Sequence, residues 1–218
     1  MAVASLTNFT VPLAGGSSQT SQGLLMPKLK YRFRLSFVNF GVSTNTVVEL
    51  TKQVQEAKRP SVKFAPVTVD IYNSKVYFAG KPAWYETTVN LRDDAAGNIS
   101  KMVGEQIQKQ FDFQEQASAA SGVDYKFILQ IDILDGGNGT SNGSAGPNTL
   151  ESWQLTGCFL TSVDYGDINY GSNDPMTIAL SIVYDNANQT PNGTGIGTTI
   201  ARTVNDVVTG AGTAQAVQ

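Results

Sequence analysis

The sequence contains no histidine. That absence removes His-based triads, His metal sites and His proton shuttles. There is one cysteine, Cys158, so neither an intrachain disulfide nor a thiolate metal cluster can form. Charged residues make up only 15% of the 218 residues, against about 25% in an ordinary soluble domain. Asn, Ser, Thr, Gln and Gly fill the gap, so the surface is either neutral-polar or largely covered by partners. No apolar run approaches the ~20 residues that span a bilayer. The first 27 residues carry no Lys or Arg, so the expectation is no signal peptide and no membrane insertion by the chain itself. No Gly-Lys-Ser/Thr phosphate cradle exists, and the spacing of Gly193, Gly195 and Gly197 lacks the rest of a nucleotide-binding motif. No cofactor is expected.

What is present is enough for one domain with tails, and long enough to bury a core without staples. Net charge is −3. Lys28 to Lys63 holds eight Lys/Arg and two Glu, whereas Phe64 to Asp185 holds six Lys/Arg and fifteen Asp/Glu. Chance clustering accounts for this as readily as a surface with a positive and a negative part suited to self-association. Six Asn-x-Ser/Thr sequons follow from the Asn-rich composition.

Three regions emerge. Residues 1–27 read as an extended N-terminal arm, 28–186 as a folded β domain, and 187–218 as a polar C-terminal tail. In the tail, Ile200, Val204, Val207 and Val208 recur at helical spacing before Gly210. In the domain, Tyr31, Phe33, Leu35 and Phe37 alternate with polar residues, as in a half-buried strand. Further strands are expected over 45–56, 61–72 (with a phase change at Pro66 that marks a bulge or an edge), 75–79, 84–92, 124–134, 150–165 and 176–185. Between them Ile99, Met102, Val103, Ile107 and Phe111 mark one face of a helix spanning about 95–117, with Asp94 or Asn98 at its start. Residues 135–149, rich in Gly, Asn and Ser, read as a long exposed hairpin loop. The sum is an α+β domain built on antiparallel sheets with one long packed helix.

The candidate chemistry is thin. Asp93-Asp94, Asp132/Asp135 and Asp164/Asp167 are carboxylate pairs, but most sit at strand ends where Asp serves turns, and nothing places two across a cleft. Asp164, Asp167, Asn169 and Asp174 offer oxygens to calcium without EF-hand spacing. Cys158 lies in an apolar strand, where a buried inert thiol is the default. The run Lys28-Leu-Lys30-Tyr-Arg32-Phe-Arg34 suits a solvated strand face, a nucleic-acid face or the positive half of a subunit contact. The acidic remainder of the chain favours the contact.

The order of elements carries a resemblance. YRFRLSFVNF is followed by KRPSVKFAPVTVDIYNSKVYFAGKPAW, WYETTVNLRDD, a single helix, YKFILQIDIL, LESWQLTGCFLTSVDYGDINYGSNDP and MTIALSIVYDNA. Over roughly 28–186, and most of all over 153–185, this resembles the tail tube proteins of contractile-tailed, T4-like bacteriophages. Leu160 stands where that family often has proline, and the 135–149 loop is longer than usual.

The resemblance implies a sandwich- or barrel-forming tube-protein fold and a structural role without catalytic residues. Six copies would form a ring, and rings would stack head to tail into the inner tube of a virion tail assembled in the host cytoplasm. Sheath and baseplate proteins would be partners, and DNA would pass without specific binding. The polar strand faces then become expected lumen residues: Glu49, Thr51 and Gln53; Glu86, Thr88 and Asn90; Gln130 and Asp132. The same tube in a phage-like bacteriocin or other contractile injection machine fits equally. A surface β-rich binding or adhesin domain is the alternative of another class, and an enzyme ranks third.

Overall fold

The computed structural model describes residues 10–12, 21–23, 27–41, 47–136, 148–191, 195–198, 202–205 and 214–217. The chain divides into two compact units, 1–32 and 33–218.

In the first unit, β1 (Thr10–Pro12) pairs antiparallel with β2 (Ser21–Gly23). The expected arm is thus tied back on itself at these residues. The unit boundary falls at Arg32 rather than at residue 27.

In the second unit the order is β3 (Phe33–Val38), β4 (Val47–Glu49), β5 (Val54–Ala57), β6 (Ser61–Ile71), β7 (Ser74–Tyr85), β8 (Thr87–Arg92), α1 (Asn98–Gln110), β9 (Phe111–Asp112), β10 (Ala117–Ser118), α2 (Gly122–Tyr125), β11 (Phe127–Leu134), β12 (Thr149–Asp164), β13 (Thr177–Val183), β14 (Asn186–Pro191), β15 (Arg202–Asn205) and β16 (Ala214–Val217). One antiparallel sheet runs β4-β3-β11-β12-β13-β8-β5, with β14 also on β12. The fold is therefore mostly antiparallel sheet with one substantial helix, as the sequence implies.

β12 is the hinge of this sheet. Its first part pairs with β11 and β14, and its second part with β13. The change of partners falls at Gly157, whose φ of 69° lies in the left-handed region that favours glycine. Strand alternation then puts Leu35, Phe37, Leu129, Leu155, Val89, Leu91, Ile178, Leu180 and Ile182 into one core. Phe37, Phe40 and Phe127 stack there, with centroids 4.7 to 5.8 Å apart.

α1 covers this core with Ile99 and Val103, and with a residue outside the apolar stripe, Gln106, which is fully buried. Asp94, not Asn98, supplies the cap. Its Oδ1 accepts from the amides of Asn98 (2.7 Å) and Ile99 (3.3 Å). The helix is shorter than the expected 95–117. At Phe111 the backbone becomes extended, and Asp112 Oδ1 accepts from the Gln114 and Glu115 amides, closing a turn that returns as β10.

Three further expectations change. The 45–56 strand is two strands, because Leu50–Gln53 turn back (Gln53 N to Leu50 O, 2.8 Å), so that β4 pairs with β3 and β5 with β8. The polar tail begins with β14, whose sequence lacks alternation but which the open edge of β12 holds through its backbone. Residues 202–205, expected helical, form β15 against β16, while Ile200, Val207, Val208 and Gly210 lie outside the described residues. Most of the 135–149 loop also lies outside them.

Candidate assembly surface

The strand pair β6–β7 stands apart from the main sheet as its own two-stranded ladder. Its register shifts between Phe64 and Pro66, where the apolar series on β6 changes phase. Val62 faces Trp84 and Phe64 faces Pro82; after a one-residue shift, Val67 faces Phe78 and Val69 faces Val76. The shift sets one residue of β6, Ala65, against two of β7, Gly80 and Lys81, so the extra residue lies on β7 and β6 keeps its alternation. Val62 and Phe64 with Trp84 and Pro82 therefore lie on one face of the hairpin, and Val67, Val69 and Ile71 with Val76 and Phe78 on the other.

The first group lies at the base of the hairpin, beside the core. Val62 and Trp84 are half-buried, and Trp84 packs on Tyr184 with ring centroids 5.7 Å apart. Beyond them Phe64, Val67, Val69, Ile71, Val76 and Phe78 are exposed, Phe78 by 56%. The tip residue Tyr72 is fully exposed. Toward the tip, the face opposite Val67 and Phe78 carries Thr68, the exposed Tyr77 and a surface pair Lys75–Asp70 at 3.4 Å. An isolated hairpin is at best marginal in water, and a contiguous bare apolar face marks a contact surface.

Of the eight residues expected to line a lumen, the seven whose side chains are described sit in different settings. Glu49 pairs through its backbone with Ser36, and its side chain lies outside the described residues. Thr51 serves the fold: its Oγ1 accepts from the Leu35 amide (3.0 Å) and donates to the Leu35 carbonyl (3.1 Å). Gln53 sits in the β4–β5 turn, where its carbonyl accepts from the Arg92 amide at 2.7 Å. Glu86 is exposed at the junction of β7 and β8. Thr88 and Asn90 lie on the outward face of β8, in rows with Ser181 and Ala179, and Asn90 Nδ2 donates to Glu56 at 3.5 Å.

Gln130 and Asp132 lie on the outward face of β11, but Asp132 is only 2% exposed. Arg34 Nη2 donates to its Oδ2 at 2.7 Å, while Ser152 (2.7 Å) and Gln130 (3.0 Å) donate to Oδ1. Burial pushes this carboxyl up, but the three hydrogen-bonding partners and the guanidinium charge together outweigh it, so its pKa lies below the ordinary value. Asp132 therefore offers no free charge, which the sequence expectation had assumed. Arg34 was legible as a basic strand residue; its partner was not.

Elsewhere the chemistry stays structural. Cys158 is buried, and burial raises its thiol to about 12. Among the described residues no three Asp, Glu or Cys side chains converge to hold a metal, and no helix is long and apolar enough to cross a membrane.

Comparison with solved structures places this architecture. A chain of the six-fold-symmetrised baseplate of the anti-feeding prophage is similar with a TM-score of 0.58 at 11% identity, over 77% of this chain and 98% of that one. A chain of the tube-terminating cap of the same particle gives 0.56 at 14%, over 81% and 99%. A chain of the sheath/tube terminator of an extracellular contractile injection system gives 0.55 at 15%, over 77% and 99%.

The chain has a tail-tube-like fold.

No family model and no curated protein matches the sequence. The likeness, at these identities, is one of fold. The resemblance read from residues 153–185 agrees with it.

Proposed function

We propose that the chain is a structural subunit, not an enzyme, of the inner tube of a contractile tail. Six copies form a ring, rings stack head to tail, and sheath and baseplate proteins bind the tube, which assembles in the host cytoplasm and becomes part of the particle. The observation that carries this reading is the β6–β7 hairpin: a ladder that pairs with no other strand among the described residues and whose outer part bares Val67, Val69, Ile71, Val76 and Phe78 on one face. A second copy of the chain covers it. Pairing an edge with a neighbouring sheet removes the aggregation liability of open strands. Completing the burial of Val67, Val69, Ile71, Val76 and Phe78, which are already about half covered, contributes roughly 4–6 kcal/mol per subunit.

The payload reading has two forms. In a phage tail the tube conducts DNA; in an injection particle it delivers another cargo. The similar chains come from a prophage particle and an extracellular injection system, which favours keeping the second form beside the first. In either, Glu86, Thr88 and Asn90 are the expected residues best placed for a channel wall, and the Arg34–Asp132 pair makes a wall built on β11 nearly neutral.

The test is negative-stain electron microscopy of the purified protein with sedimentation velocity over a concentration series. Rings or hollow tubes are the expected result. A strictly monomeric chain at all concentrations, with the hairpin amides fully protected from exchange, overturns the reading, because the apolar face would then need no partner.

A further inference from the structure

We infer that successive copies of this chain meet through a charge-paired, head-to-tail contact: the basic base of the β6–β7 hairpin of one copy against the acidic β12–β13 loop of the next. This rests on the self-assembly proposed above and names the surface that performs it.

The two patches lie at opposite ends of one strand. Lys58 donates its amide to the Thr88 carbonyl and its own carbonyl accepts from Thr87 Oγ1, so Lys58 and Arg59 sit at the start of β8. The hairpin leaves from that same end, since Ser61 pairs with Tyr85. Lys63, opposite Ala83, and Lys81, two residues earlier on β7, share one face at the base of the hairpin. All four cations are exposed, and the exposed anions beside them are Glu86 at the β7–β8 junction and Glu56, which lies two residues before Lys58 and accepts from Asn90.

The far end of β8 is acidic. Arg92 pairs with Thr177, and the Asp93 amide donates to the Met176 carbonyl, which fixes the end of the 165–176 loop there. Asp164, Asp167 and Asp174 are exposed on this loop and its root, and the exposed cations at this end of β8 include Arg92 and Lys52, the latter beside Gln53, whose carbonyl accepts from the Arg92 amide. Asp164 and Asp174 accept only short-range hydrogen bonds, from Gly166 and Ser172. Among the described residues none of these four cations or three loop anions is in an ion pair.

The six residues of β8 separate its two ends by ~20 Å at about 3.4 Å per residue; Asp164, in a row with Ala179 and Asn90, lies two residues in from the acidic end. That end-to-end distance exceeds the ~8 Å screening length at physiological salt, so one end cannot neutralise the other within a molecule. Opposite charge on opposite ends makes like ends repel and unlike ends attract. A contact between unlike patches is heterologous, the kind that builds rings and stacks rather than closed two-fold dimers. The same loop also exposes Tyr165, Ile168 and Tyr170, apolar surface beside the acidic groups that a partner would cover.

The experiment uses two charge-reversed full-length variants, K63E/K81E and D167K/D174K, with tube or ring formation followed by sedimentation and electron microscopy at about 0.05 M and about 0.5 M salt. Circular dichroism melts confirm that each is folded, and the neutral pairs K63Q/K81Q and D167N/D174N give the same direction at lower amplitude. Each reversed variant alone should need about tenfold or more protein to assemble, and a one-to-one mixture should assemble near the wild-type concentration. If wild type and both variants assemble equally, the inference falls while self-assembly stands. If each variant fails and the mixture also fails, the charges matter but do not meet, and the pairing is overturned. A wild type that never assembles at either salt removes the contact together with the reading beneath it.

Discussion

The carbonyl oxygen of Ala65 occupies the space where a Cβ on Gly80 would stand. The two residues meet at the β6–β7 bulge, where Ala65 alone opposes Gly80 and Lys81, and the extra β7 residue keeps Val67 and Val69 opposite Phe78 and Val76. Gly80→Ala must push the strands apart or expel the bulge, and expelling it would slip the outer register by one residue and set Val67 and Val69 against Ala79 and Tyr77 instead. Because the hairpin is a separate ladder, the expected outcome is selective. Amide exchange along β6 and β7 accelerates about tenfold, the melting of the main sheet moves little, and assembly is lost. Hydrogen exchange read against thermal melting checks all three.

Much of this was legible in the sequence, and the misses have physical causes. Period-two alternation located β3, β6, β8, β11, β12 and β13, and Pro66 betrayed the bulge. The helix was legible in its stripe but not in its end, since Asp112 acts through a side-chain turn that carries no periodic signal. β14 was missed because backbone pairing with β12, not side-chain pattern, holds residues such as Asn188 and Gln189 in a strand. The lumen residues were chosen by polarity alone. Polarity cannot distinguish an exposed threonine such as Thr88 from Thr51, which bonds both backbone groups of Leu35, or a free aspartate from Asp132.

Gln106 sits on the buried face of α1, where an apolar residue would be expected. Its Oε1 accepts from the Gly41 amide at 3.1 Å and its Nε2 donates to the Tyr125 carbonyl at 2.7 Å, tying the helix to the end of β3 and to α2. Gln106→Leu keeps the volume but orphans both backbone groups. Each such group costs about 1–3 kcal/mol, so equilibrium denaturation should show a loss of roughly 2–4 kcal/mol. A loss below about 0.5 kcal/mol would mean that water replaces the amide.

Cys158 donates weakly to the Leu155 carbonyl at 3.4 Å and is fully buried. Burial disfavours its thiolate, and the thiol rises to about 12. The folded value lies above the unfolded one, so the neutral thiol's contribution is complete below about pH 8 and fades as pH climbs through 9 toward 12. Native protein at about pH 8 should resist a disulfide thiol reagent and react only as fast as the core opens. Stoichiometric labelling within seconds under native conditions would contradict this packing.

The Arg34–Asp132 pair gives the sharpest pH signature. Arg34 reaches Oδ2 through both Nη2 (2.7 Å) and Nε (3.2 Å), and Arg34 is itself half exposed. Desolvation alone would raise the Asp132 carboxyl; the bonds from Gln130 and Ser152, followed by those from Arg34, reverse the sign. A depressed folded pKa means the charged form stabilises the fold above the unfolded value of 3.8, and that this stability drains away as pH falls below it. Asp132→Asn should therefore cost about 1–3 kcal/mol at neutral pH, with the half-exposed cation keeping it below the cost of breaking a fully buried pair. The difference from wild type should shrink between about pH 4 and pH 2, as wild-type Asp132 becomes protonated. Urea denaturation of both proteins across that range measures it. An unchanging difference would assign the loss to geometry rather than charge, and would return the outward face of β11 to the candidates for an acidic wall.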